Sequence, residues 1–211
     1  MPHTLTTPVA PRRRRTTLAA ACAAVMALAA CGGGENPFDN PADIENAQQV
    51  SGKKLSFVYF QKCINPILLA QLQSSGGGAS GINTCASSGC HDNVHGTGGA
   101  LRIVPGAQPV DLTDPANTAE VVRLSNMYKN FYSAQGSAIV GTPSQSRLLT
   151  KPLLRNVLHG GGLIFENDQD PNARLIAYWI THPVPEGSDE FYAANGLFTP
   201  PDAASGACNT Q

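Results

Sequence analysis

The chain reads as mostly α, with long loops between its helices. Three observations predict this. Apolar residues recur at helical spacing in three segments, helix caps and stops bracket those segments, and the period-two alternation of strands is sparse. No internal repeat is evident.

A basic run, Arg12 to Arg15, precedes TTLAAACAAVMALAA, an apolar stretch too short and too weakly hydrophobic to span a bilayer, so residues 1–30 are expected to be a signal peptide. The segment closes on Leu28-Ala29-Ala30-Cys31, small residues before a cysteine. This resembles the lipobox of bacterial lipoproteins and implies that Cys31 becomes a lipidated mature N-terminus. An ordinary secretory signal cut nearby is the plainer alternative. Residues 31–53 then read as a linker, with Gly32-Gly33-Gly34 as a flexible tether. Gly32 is not an acidic residue of the kind associated with inner-membrane retention, so the expected location is the bacterial cell envelope, at the outer membrane facing the periplasm.

The first helix is expected in KLSFVYFQKCINPILLAQLQ, where Phe57, Phe60, Ile64, Ile67, Leu68 and Leu72 recur on one face. Pro66 should break or kink it, with Asn65 capping a second piece. SSGGGASG, residues 74–81, reads as a loop. GTGGALRIVPG allows close backbone approach at its glycines and contains one short extended piece. Asn117 and Glu120 are spaced as a capping box for a second helix running to Tyr132, with Val121, Val122, Leu124, Met127, Tyr128 and Phe131 on its stripe. Residues 141–162 read as loop with one or two short turns. The last helix starts at DPNAR, with Pro171 at its first position, and stops before Pro183. The expected domain spans 54–183, and 184–211 is a tail wrapped back over it.

Charge and cysteines narrow the function. Ten of the 14 basic residues and all 15 acidic ones lie beyond residue 30, so the mature chain carries a net charge of −5. That balance argues against nucleic acid as a partner. Cys22 leaves with the signal and Cys31 is used by the lipid, which leaves Cys63, Cys85, Cys90 and Cys208. In an oxidising compartment these should be paired or committed to a cofactor.

TCASSGCHDNVHG, residues 84–96, decides among cofactors. Covalent haem attachment needs two thiols to add across two vinyl groups and a histidine directly after the second thiol, and Cys85, Cys90 and His91 supply that set. Four small residues separate the cysteines where two are usual. A zinc ion held by Cys85, Cys90, His95 and His159 is a second reading, and a plain Cys85–Cys90 disulfide a third.

The order of NPIL, the C-x4-C-H stretch, GTGGALRI, SQSRLLTKPL, HGGG and AYWI resembles a class I c-type cytochrome. It is more narrowly similar to the planctomycete-type cytochrome c domains. The likeness covers about residues 56–182 and departs at GCHD and in the long tail. It implies a class I cytochrome c-like helical domain around one covalent haem c, with Cys85 and Cys90 as thioethers and His91 as the proximal ligand. His159, before the last helix, stands where such domains carry the distal ligand, with Gly160, Gly161 and Gly162 letting the loop close. Met127 is the rival ligand, although its place on an apolar stripe favours core packing. His95 lies one turn past His91, on the same side of the iron, and His182 ends the last helix. Cys63 and Cys208 remain, and the crossing of first and last helices in such domains implies that they pair, pinning the tail. Trp179 and Phe60 are expected to meet at that crossing.

The function expected is a lipid-anchored carrier of single electrons between redox protein partners. Two protein ligands on the iron leave no place for a substrate, which argues against an enzyme. The alternatives are a haem enzyme or sensor with a displaceable distal ligand, and a haem-free, disulfide-stapled binding lipoprotein.

Overall fold

Local chemistry cuts each helical segment of the chain short, and the short pieces explain the architecture. The computed structural model describes residues 54–76, 81–193 and 196–211. The signal, Cys31 and the linker to residue 53 lie outside the described residues, as does His3.

Helix α1, Phe57–Tyr59, is capped by the Ser56 hydroxyl, which accepts from the Tyr59 N–H at 3.1 Å. It runs through a π turn, Phe60–Ile64, into α2, Asn65–Leu69. The Asn65 N–H donates to the Phe60 carbonyl, so the helix widens by one residue just ahead of Pro66. Pro66 then falls in the first turn of α2, where its missing N–H is not needed. The expected break is thus absorbed. Asn65 does not cap either: it is buried, and its Oδ1 accepts from Asn130 Nδ2 at 2.9 Å.

The second segment is two helices rather than one, α3, Ala119–Arg123, and α4, Asn126–Gln135. Ser125 divides them because its hydroxyl accepts from the Tyr128 N–H at 3.1 Å and starts a new helix. The cap of α3 is Thr118, one residue past the expected Asn117. Its hydroxyl accepts from the Val121 N–H at 3.4 Å and donates to Glu120 Oε2 at 2.9 Å. A 3-10 turn, Pro143–Gln145, leads to α5, Arg147–Thr150, and Asp170 caps α6, Pro171–Thr181, by accepting from the N–H groups of Asn172 and Ala173.

Strands β1, Leu72–Ser74, and β2, Gly81–Asn83, pair antiparallel with Gln73 opposite Ile82. In the tail, β3, Phe198–Thr199, pairs antiparallel with β4, Ala207–Cys208. The protein is therefore not mostly α. Only about 30 % of the described residues are helical, and two small antiparallel sheets join them. The class I cytochrome c-like helical domain expected above falls with that correction. Apolar periodicity marks which residues face the core, whereas side-chain caps and prolines decide how far each helix runs.

The core is aromatic. Phe57 meets Phe131 edge-on at 5.4 Å between ring centroids, and Phe60 packs on Trp179 at the same distance. Trp179 also donates from Nε1 to the Ser56 carbonyl at 2.9 Å, fixing α6 to the start of α1. The tail is held down by three kinds of bond. Cys63 and Cys208 form a disulfide with their Cα atoms 6.1 Å apart. Tyr59 donates its hydroxyl to the Asn209 carbonyl at 2.5 Å, and Lys62 donates to the carbonyls of Ala203 and Ala204. Glu190, itself buried, pairs with Arg123 and Lys54 and accepts from Tyr128. No helix among the described residues is long and apolar enough to cross a membrane.

Candidate functional site

Cys85 and Cys90 fall in a loop that folds back on itself. The Ser87 N–H donates to the Thr84 carbonyl, the Cys90 N–H donates to the Ser87 carbonyl at 2.9 Å, and the His91 N–H closes the loop on the Cys85 carbonyl at 2.9 Å. Two successive tight turns therefore take up the four intervening residues, returning both cysteines and His91 to one place. Thr84 ties the loop to the end of α2 by donating to the Leu68 carbonyl at 3.0 Å.

His91 is locked from several directions. Its carbonyl accepts from the Ile103 N–H at 2.7 Å, and its Nδ1 is 3.0 Å from the Leu101 carbonyl, a contact that needs the proton on Nδ1. The Nε2 lone pair is then free to bind a metal. The ring also lies against Gly98, where a Cβ would come within 2.6 Å of His91 Cε1, so only glycine fits. The residue keeps 8 % of its surface exposed. Burial pushes its pKa below the ordinary imidazole value against the opposing pull of the Leu101 bond, with the charges of Lys151 and Arg102 adding to the depression. The neutral ring is the metal-binding form.

His159 stands opposite. Its Nδ1 is 2.8 Å from the Gly162 carbonyl, which directs its Nε2 lone pair to ligation in the same way. The two rings have centroids 6.3 Å apart and planes inclined by 20°. A metal bonded to each Nε2 at ~2.0–2.1 Å would take up most of that distance. The rest, about 2 Å, would be the reach of two imidazoles from ring centre to nitrogen. Both rings and both cysteines line one cavity of about 560 Å³. Its other walls are largely apolar, including Ile67, Leu68, Ile164 and Phe165, and carry no Asp or Glu among the described residues.

Cys85 and Cys90 stand as free thiols. Burial pushes the Cys85 pKa up to about 11, with the neighbouring Cys90 adding to the rise, so the thiol is neutral at physiological pH. The zinc arrangement is not assembled. His95 points into solvent with 75 % of its side chain exposed, its Nδ1 3.6 Å from Asp92. Among the described residues no three His, Cys, Asp or Glu side chains gather around a common point. Met127 is buried in the core on α4 and is not part of the cavity wall. His182 caps the end of α6 and stacks on Tyr178 at 3.8 Å.

The donor set suits haem c. Two free thiols could form thioethers, the two imidazoles, 6.3 Å apart between centroids, could ligate from opposite sides, and the cavity is largely apolar. The sequence reading missed the two carbonyls of Leu101 and Gly162 that orient the rings, since a backbone acceptor carries no residue signature. It also missed Arg147 and Lys151 on the cavity wall. Their four-residue spacing around Leu148 and Leu149 was visible in SRLLTK. Comparison with known proteins finds no matching family model, no matching curated protein and no matching solved structure.

Proposed function

We propose that this protein carries one haem c, attached through Cys85 and Cys90 and ligated by His91 and His159, and passes single electrons between redox proteins of the bacterial cell envelope. The observation that carries this reading is the facing pair of imidazoles, 6.3 Å apart across a cavity that also receives both free thiols. The sequence resemblance to planctomycete-type cytochrome c domains supports it. The haem, once bound, supplies a one-electron couple. The chain's own residues would hold it covalently, orient both imidazoles by tying each Nδ1 to a backbone carbonyl, and line the cavity largely with apolar groups. With both faces of the iron taken, an electron carrier is favoured over an enzyme. The lipid on Cys31 would hold the protein to the outer membrane, facing the periplasm, with no nucleic acid involved. Its acidic balance suits a partner with a basic docking patch.

The test is the visible spectrum and intact mass of protein purified from a host that matures c-type haem. The expected result is a sharp reduced α-band with one haem's added mass that survives denaturation. A colourless product without added mass would sink the proposal.

A further inference from the structure

We propose that Arg147 and Lys151 form an anion-binding wall that holds the two carboxylates on the propionate edge of the haem. This inference rests on the haem reading above.

Arg147 opens α5 and Lys151 is the residue that ends it, so the two lie four positions apart on one helix face. Both line the cavity. Like charges at this spacing repel mildly, and an anion placed between them would relieve that repulsion. Among the described residues none supplies it. Arg155 pairs with Asp168, Arg123 and Lys54 pair with Glu190, Lys62 and Arg102 donate to carbonyls, Lys129 to Asn126, and Arg174 to Thr210. Among the described lysines and arginines, Arg147 and Lys151 are the two whose side chains have no such partner.

The surroundings define the ligand's chemistry. Leu148, Pro152, Ile164, Phe165 and Ile176 lie on the same cavity wall, and among the described residues no acidic side chain does. A cation is therefore not the ligand. A molecule with an apolar body and two anionic groups on one edge matches an apolar cavity with two cations at i and i+4, and haem has that form. Arg147 adds a planar fork suited to a carboxylate, while Lys151 acts as a point charge. Both are positioning residues: they would hold the carboxylate edge of a haem attached at Cys85 and Cys90 and would not touch the iron.

The test uses the haem-loaded full chain. Midpoint potential is measured against pH for the wild type, for Arg147→Gln with Lys151→Gln, and for Arg147→Lys with Lys151→Arg. Uncompensated carboxylates stabilise ferric iron and take up protons as the pH falls. The Gln pair should raise the oxidised-to-reduced ratio at the wild-type midpoint about tenfold. It should also make the midpoint vary with pH from about 5 to 8, the range into which burial raises an unpaired carboxylate. The wild type and the charge-keeping pair should be flat there. A Gln pair with an unchanged midpoint, or one shifted equally at every pH, overturns the inference and leaves the haem reading standing. If the Gln pair does not mature, the single variants are read by the same criterion. A wild type that carries no haem removes the function and the inference together.

Discussion

The two walls of the cavity present the same chemical group on opposite mechanical terms. His91 is fixed through its own N–H, its own carbonyl and its ring nitrogen, and stands next to Cys90 in a loop closed by tight turns. His159 hangs on a loop pinched at its base, where the Ile164 N–H donates to the Pro152 carbonyl at 2.8 Å and Ser75 pairs with Leu163 in both directions. Between those points few backbone bonds hold it. Leu154 and Asn156 adopt left-handed backbone, at φ 52° and 54°, and Leu158 at the tip is 92 % exposed. A segment with little burial and few backbone bonds opens at lower free energy than the body of the fold. The difference teaches that one imidazole is built in permanently, while the other is held by a loop that can yield.

On the proposed haem reading, the strongest way to break this comparison is to remove each imidazole in turn from the protein matured with haem. His91→Ala should abolish the low-spin spectrum and most haem loading. His159→Ala should keep the covalent haem, seen in the intact mass, and let carbon monoxide bind the reduced iron within the mixing time. Equal loss of loading in both variants would show the two walls to be equivalent.

Packing gives the next largest effect. Gly98→Ala places a Cβ within 2.6 Å of the His91 ring and 2.7 Å of the Cys90 carbonyl, whereas Gly160→Ala, beside His159, meets nothing within 4 Å. Urea unfolding should show the first variant destabilised by ~1–3 kcal/mol and the second changed by less than ~0.5 kcal/mol. A Gly98→Ala protein as stable as the wild type would mean the His91 wall is softer than its contacts indicate.

In the haem-free chain, pH should act through His91. Its folded pKa lies below the unfolded value of 6.5, so the unfolded chain binds the extra proton first. This contribution to stability is complete above the unfolded value and declines as the pH falls through the lowered folded one. His91→Gln should flatten that part of the stability profile in an acid titration. Cys85 should meanwhile alkylate about 100-fold more slowly than an ordinary thiol at pH 8, because burial raises its pKa from 9.0 to about 11.

The smallest effect lies in the loop itself. Leu154 occupies the left-handed position that usually takes glycine after a helix, its N–H donating to the Lys151 carbonyl and that of Arg155 to the Thr150 carbonyl. Leu154→Gly should relieve that strain and stabilise the protein by about 0.5–1 kcal/mol, as read by thermal unfolding. A loss of stability would place the Leu154 side chain among the contacts that hold the loop.

Much of the site could be read from residue types, and the fold much less. Cys85, Cys90, His91 and His159 were each named from spacing or resemblance, and the structure brings all four to one cavity. The pairing of Cys63 with Cys208 was likewise anticipated and is present. The helix count was misjudged at residues whose role is set by a side-chain hydrogen bond. Ser125 was read as interior to a helix and proves to start one, and Asn65 was read as a cap and proves to bridge to α4. A serine or asparagine can satisfy several different partners, and the sequence does not say which of them comes near.

By itself the sequence determined the chemistry available: two thiols and a histidine in a short run, a second histidine among glycines, and an apolar set sufficient for one core. These depend on covalent order, which folding leaves unchanged. The tertiary structure alone decided that the imidazoles face each other across an apolar cavity, that the Leu101 and Gly162 carbonyls choose their tautomers, and that Arg147 and Lys151 join the same wall. Those relations join residues far apart along the chain. Their distances follow from how prolines, caps and the aromatic core divide and pack the backbone, which no local pattern encodes.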